Sequence, residues 1–168
     1  MRLVKAVRDM RTIRQLLTEA EAEARRGGQE RPGPEHLLIS AASLPDRTAA
    51  RALARVGVSV DALRTAVRSA QAVAPGAVDS AEPTSSAAST ALRAPATGAL
   101  RSTRQAQQVF QQAVAASKAT RPSLLTGAHV VAAASDLEGG TVARALEALG
   151  VNRAALRAAA DAELAATR

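Results

Sequence analysis

The 168-residue sequence contains no cysteine, tryptophan or tyrosine, and Phe110 is its one aromatic residue. The absence of cysteine excludes a disulfide framework and a thiolate metal site. No apolar run approaches the roughly 18 residues of a membrane span, and the opening residues lack the apolar stretch of a signal peptide. A G-x-x-x-x-G-K-[ST] loop for the phosphates of ATP is also missing. We therefore expect a cytoplasmic protein that has no membrane contact and no cofactor.

What the sequence has in excess is alanine, which supplies about a quarter of its residues. Alanine has the highest helix propensity and lets neighbouring helices approach closely. Prolines and glycines lie mostly between segments whose apolar residues recur at three-and-four spacing. Both features predict an all-α fold with thin, aliphatic contacts between its helices.

The net charge is +7, from 22 basic and 15 acidic residues, and nearly all the basic residues are arginine. A basic balance is compatible with an acidic partner such as nucleic acid, phosphate or an acidic protein. The charges are nevertheless scattered through the predicted helices. Most of them are therefore expected to form a solvated surface.

The sequence also contains an internal duplication. The segment PEHLLISAASL begins at residue 34 and GAHVVAAASDL at residue 127, and each is followed by A-R-A-L and then by G-V. Self-similarity of this kind indicates a repeated structural unit. We predict a pseudo-twofold pair of four-helix repeats with about eight helices, the first over 9–70 and the second over 101–168. The Ala-, Pro- and Ser-rich segment 71–100 between them is predicted to be a flexible linker.

Short polar side chains and glycines mark the helix ends of both repeats. The first helix is predicted for residues 10–26, and Pro34 suits the first turn of the second helix because its missing N–H costs nothing there. Gly57 is expected to end the third helix in a left-handed conformation. The predicted helix caps are Gly33, Asp46, Ser59, Thr103 and Asn152.

Neither catalysis nor metal binding is indicated by the polar residues. The two histidines, His36 and His129, recur at the same place in each repeat, without a serine, aspartate or second histidine at triad spacing. Glu35, beside His36 on a helix, is expected to point in a different direction, so the pair is not predicted to bind a metal. We expect each imidazole to bond a backbone group near its helix start, and we predict that the protein is not an enzyme.

One segment has the appearance of a DNA-binding motif. Residues 50–67 read ARALARVGVSVDALRTAV, which resembles a helix-turn-helix. DNA-reading helices present residues such as Arg, Gln, Asn or Ser to base edges, whereas the second helix here offers Asp61, Thr65 and small apolar residues, and its copy offers mainly alanine. Nucleic acid is not an expected partner, but a small basic DNA-binding regulator is retained as the alternative function.

The two repeats together resemble the N-terminal domain of Clp-family AAA+ unfoldases, the double Clp repeat of ClpA, ClpC and ClpB. GPEHLLISAASL with AARALARVGV matches the first repeat of that family, and TGAHVVAAASDL with VARALEALGV matches the second. The resemblance covers nearly all of the chain outside residues 1–8 and the linker. Its repeat signature is carried by His36, Leu37, Leu38, Gly57, His129, Val130, Val131 and Gly150.

The resemblance implies a docking function. In that family the domain receives adaptors and substrates for the unfoldase, and in ClpC-like members it recognises phosphorylated arginine. Since AAA+ modules are missing here, the resemblance implies a free-standing, non-enzymatic module that acts as an adaptor, decoy or ligand sink. Pro34 and Glu35 are the candidate ligand-binding residues, whereas the second repeat has Ala128 in place of the glutamate. Asp9 and Ser102 replace the aromatic residue that in the family usually precedes the threonine of the first helix of each repeat.

Overall fold

The computed structural model describes residues 2–73 and 102–167, with side chains from residue 7 onwards. Within these residues the protein has eight α-helices and no β-strand, which confirms the predicted all-α fold. None of these helices combines the length and the apolarity needed to cross a bilayer. The helices are α1 (Arg2–Arg26), α2 (Pro34–Ala42), α3 (Thr48–Arg55), α4 (Val60–Ala72), α5 (Arg104–Ala119), α6 (Gly127–Ser135), α7 (Gly140–Ala148) and α8 (Arg153–Ala166).

Local sequence signals set most of the helix ends. The side-chain oxygens of Ser59, Thr103 and Asn152 accept backbone N–H groups from the first turns of α4, α5 and α8, as predicted. These bonds satisfy donors that have no partner within the helix. Gly57 and Gly150 follow α3 and α7 with φ of 75° and 66°, a left-handed conformation that glycine adopts without a Cβ penalty.

Two predicted boundaries were wrong. Helix α1 begins at Arg2 rather than near residue 10, because neither proline nor glycine interrupts the opening residues. The N-cap of α3 is Arg47, at φ 57°, rather than Asp46. The Asp46 carboxylate still accepts the N–H of Thr48 at 2.8 Å, because an aspartate side chain reaches the backbone two residues on. Of the predicted linker, residues 71–72 belong to α4, and residues 74–100 lie outside the described part of the chain.

The two halves of the chain interleave around a central pair of helices. All nine residues of α2 and all nine of α6 are buried, and these two helices pack on each other, with α1 against α2 and α5 against α6. The third helix of each half packs on the fourth helix of the other half, α3 on α8 and α4 on α7. This exchange gives the bundle its pseudo-twofold arrangement.

Small residues allow the central helices to approach closely. A Cβ atom added to Gly127, the first residue of α6, would lie 2.7 Å from the Cβ of Ala49 and 2.8 Å from the carbonyl oxygen of Ala41. Both distances are below ordinary van der Waals contact, and the second involves backbone. The glycine therefore sets how near α6 lies to α2 and α3.

A buried carboxylate also joins the halves. Glu163 of α8 is only 2% exposed, and its two oxygens accept from the Nε atoms of Arg51 and Arg55 on α3 at 2.5 and 2.7 Å. These hydrogen bonds lower the pKa of Glu163 below its ordinary value of 4.5. A buried charge with two charged donors is compensated, so this cluster adds a polar link to the packing of α3 on α8.

Candidate functional site

The candidate ligand-binding residues Pro34 and Glu35 lie at the start of α2, and both are buried. The Nδ1 atom of His36 accepts the N–H of Gly33 at 2.9 Å, which is the backbone bond that the sequence predicted for the imidazole. Because Nδ1 is an acceptor there, the neutral ring carries its proton on Nε2. The ring therefore closes the N-terminal turn of α2.

The carboxylate of Glu35 lies in the interior rather than in solvent. It accepts from Nε2 of Gln71 on α4 at 3.2 Å, and one of its oxygens is 3.5 Å from Nδ1 of His36. The expectation that Glu35 and His36 point apart was therefore wrong, because the glutamate folds back over the helix start. Gly33 makes room for it, since a Cβ at that position would be 2.6 Å from each carboxylate oxygen. A ligand guanidinium would have to compete with Gln71 for this carboxylate.

The start of α6 repeats the histidine arrangement with different neighbours. Nδ1 of His129 accepts the N–H of Thr126 at 3.2 Å, and Nε2 lies 3.2 Å from the hydroxyl of Thr120. That hydroxyl donates to the carbonyl of Ser117, so it accepts from the ring. Ala128, in the place of Glu35, is fully buried, and the second repeat has no carboxylate at that position.

Burial lowers the pKa of both histidines below their ordinary value of 6.5, although nearby carboxylates act in the opposite direction. The unfolded chain therefore binds protons more readily than the folded protein as the pH falls through 6.5, and stability is lost on the acidic side. We expect the melting temperature to fall between pH about 7.5 and about 5.5, a window above the usual carboxylate range.

Glutamine replacements test this expectation. A glutamine in the third position of a helix also bonds the N-cap N–H, so the double variant His36→Gln, His129→Gln keeps the cap but does not titrate. Its melting temperature should depend less steeply on pH over the same window, as followed by circular dichroism at several pH values. Equal slopes for the two proteins would contradict the assignment to the histidines.

Side chains from the first half of the chain accept hydrogen bonds from the backbone N–H groups at the start of α6. The Asp9 carboxylate accepts the N–H of Leu125 at 2.8 Å, and Asp46 accepts that of Gly127 at 3.1 Å. The hydroxyl of Thr48 accepts the N–H of the next residue, Ala128, at 2.8 Å. A helix N-terminus ordinarily attracts anions through such groups. Here these groups are already bonded within the protein.

The equivalent positions at α2 lack both donor and acceptor. Pro34 stands where the second repeat has Gly127, and Gly139 stands where the first repeat has Asp46. Proline has no backbone N–H and glycine has no carboxylate. The starts of α2 and α6 thus differ in their backbone hydrogen bonds, although the repeats share one fold.

A groove of about 400 Å³ lies beside the start of α6. We call it the α6 groove; it is lined by α1, the loop before α3, the segment between α5 and α6, and the last turns of α8. Its lining includes Asp9, Asp46 and His129, whereas neither Pro34 nor Glu35 reaches it. Sequence reasoning missed this groove. The one available signal was the acidic Asp9, at a position where the sequence resemblance implies an aromatic residue.

No metal centre is formed by the described residues, 2–73 and 102–167, since these contain no group of three His, Asp or Glu side chains placed to hold an ion. The two carboxylates in the α6 groove, Asp9 and Asp46, instead accept hydrogen bonds from backbone amides. The arrangement suits the binding of another molecule by shape, hydrogen bonds and charge.

Comparisons with known proteins agree with this architecture. Residues 11–97 match the family described as "Clp repeat (R) N-terminal domain". The fold is similar to the crystal structure of the N-terminal domain of the caseinolytic protease-associated chaperone ClpD from Arabidopsis thaliana, with a TM-score of 0.56 and 22% sequence identity. That match covers 94% of this chain and 92% of the plant domain. A search of curated proteins finds no match.

Proposed function

The chain belongs to the family of Clp repeat N-terminal domains, and from this membership we propose that it is a protein- or peptide-binding module of the Clp proteolysis system. It acts as an adaptor, decoy or ligand sink for an AAA+ unfoldase in the cytoplasm. The observation that carries the proposal is the family match over residues 11–97, which the similar fold of the ClpD domain supports. The proposal involves binding alone and no catalytic step.

Two features of the structure count against the alternative of a DNA-binding regulator. In a helix-turn-helix the two helices pack together and the second one enters the major groove, but here α3 packs on α8 and α4 on α7. The second feature concerns α8, the second helix in the repeated copy of the motif, whose exposed residues are mainly alanine, with Asp161 among them. Neither alanine nor a carboxylate would bind the DNA backbone, because phosphates attract cations.

The finer part of the proposal concerns phosphorylated arginine. Glu35 is an acceptor for a guanidinium group at the start of α2, where Pro34 leaves no N–H of its own to satisfy. The contact requires that Gln71, its present donor, be displaced by the ligand. A charged donor replaces a neutral one in that exchange, which favours the ligand.

A crosslinking pull-down tests the proposal. The tagged full chain is expressed in its native cells, and the captured proteins are identified by mass spectrometry beside those of an unrelated helical protein of equal charge. We expect enrichment of a Clp unfoldase, its adaptors or its substrates. The absence of any Clp component, together with duplex binding that falls steeply with salt, would instead support the DNA-binding alternative.

The variant Glu35→Gln in the same experiment examines the arginine site. We expect it to lose proteins that carry phosphoarginine by about tenfold, since a charge-assisted bond contributes roughly 1.5–3 kcal/mol, while other Clp partners are retained. Its melting temperature should be measured in parallel, because Glu35 is buried. Unchanged capture by a folded variant would remove the Glu35 site and leave the general proposal intact.

A further inference from the structure

The α6 groove has apolar and charged parts that face the same space. Leu124 and Leu164 line it and are only partly buried, and Pro45 and Pro122 line it from exposed positions. A volume of about 400 Å³ is at the small end of the range of ligand-binding clefts. It is therefore suited to a few side chains of a partner rather than to a whole helix.

Two arginines in the lining have no acidic partner. Arg8 on α1 and Arg121 before α6 are exposed, and neither forms an ion pair with any described residue. Several other arginines do form ion pairs, for example Arg157 with Asp136 and Arg64 with Glu23. The guanidinium groups of Arg8 and Arg121 are thus available to a carboxylate of another molecule, for which their planar donors are well matched.

The carboxylates of the groove limit what it accepts. Asp9 and Asp46 also line it, so its four charged side chains sum to zero and a polyanion such as nucleic acid gains little there. Asp46 uses both oxygens on internal donors. Asp9 uses one on a described residue, and among these residues its second oxygen has no donor and can accept a peptide N–H. A peptide, which has amide donors and few negative charges, therefore fits the carboxylates and arginines of the groove better than a polyanion does.

From these features we infer that the α6 groove binds an extended peptide segment in which an acidic residue adjoins an apolar one. The acidic side chain bonds Arg8 and Arg121, and the apolar side chain packs on Leu124 and Leu164. This inference rests on the proposed function, because it gives the peptide-binding module a partner chemistry. It concerns a surface separate from Glu35.

Fluorescence anisotropy with the full chain tests it. The probes are the fluorescein-labelled peptide Gly-Glu-Leu-Leu-Glu-Gly and counterparts in which glutamine or lysine replaces both glutamates. We expect the glutamate peptide to bind at least about tenfold more tightly than the other two, and less tightly as salt rises from about 50 to about 300 mM. The double variant Arg8→Glu, Arg121→Glu should prefer the lysine peptide. A folding defect cannot produce that reversal.

Arg68→Glu, an exposed substitution on α4 outside the groove, is the matched control and should bind as the wild type does. The inference is overturned if the wild type does not distinguish the peptides, if the double variant retains the original preference, or if a 20-base-pair duplex competes as well as the glutamate peptide. Capture of Clp proteins by the double variant alongside such a result would leave the proposed function standing. If wild-type protein selects the glutamate peptide but captures no Clp protein in the pull-down, the proposed function is wrong and the peptide preference of the groove stands.

Discussion

Replacing Gly127 by alanine should lower the free energy of unfolding by about 3 kcal/mol, at the upper end for an overpacked core. Local propensity predicts the opposite sign, since alanine is better than glycine in a helix by about 1 kcal/mol. The packing term decides the outcome, because the new Cβ would be 2.8 Å from the carbonyl oxygen of Ala41 and 2.7 Å from the Cβ of Ala49. Ala41 and Ala49 are themselves fully buried, so these atoms cannot move aside as an exposed side chain could.

Urea unfolding followed by circular dichroism measures this change in free energy. Thermal unfolding should show a fall in melting temperature of roughly 6–12 °C. Gly139→Ala is the matched control. Gly139 has an extended backbone with φ of −144°, and a Cβ there would meet no atom within 4 Å, so its stability should change by less than about 1 kcal/mol. Equal effects at the two positions would show that α6 can shift away from its neighbours.

Replacing Asp46 by alanine should cost a similar amount, about 2–3 kcal/mol. The carboxylate accepts the N–H and the hydroxyl of Thr48 at 2.8 and 2.7 Å and the N–H of Gly127 at 3.1 Å. Its removal leaves the first N–H of α6 without an acceptor and releases the Thr48 hydroxyl, which itself binds Ala128. The loss therefore falls on the junction between the halves.

The comparison variant is Asp61→Ala, because Asp61 is a helix-start carboxylate whose side chain is 93% exposed. Exposed ion pairs contribute little, so its denaturation midpoint should barely change. The slope of the unfolding free energy against urea concentration should be the same for wild type and both variants if the transition stays two-state. An Asp46→Ala midpoint equal to that of Asp61→Ala would show that water replaces the carboxylate at the start of α6.

Much of the fold was predictable because its signals are local. Caps such as Ser59 and Thr103 act within three residues, and the duplication shows where helix types recur. The roles of Asp9 and Asp46 at α6 could not be predicted in this way. Their backbone partners lie 116 and 81 positions away, and only the packing of one half on the other brings them together.

At the candidate site, too, local features were predictable from the sequence and long-range contacts were not. The sequence located Glu35 at a helix start and predicted the histidine cap, both from nearby residues. It did not reveal that Gln71, 36 positions later, covers the carboxylate, because that contact depends on how α4 lies over α2. The α6 groove escaped prediction for a related reason, as its walls come from four separate parts of the chain.

The starts of α2 and α6 differ in their hydrogen bonding, and the two halves of the chain are therefore not interchangeable. A chimera built from two copies of the first half would set an Asp46 carboxylate opposite a proline, which has no N–H to give it. One built from two second halves would leave the N–H of Gly127 facing a glycine that has no carboxylate. Each half has thus become specific for the other, and an exchange between chains would be favourable only when it joins a first half to a second.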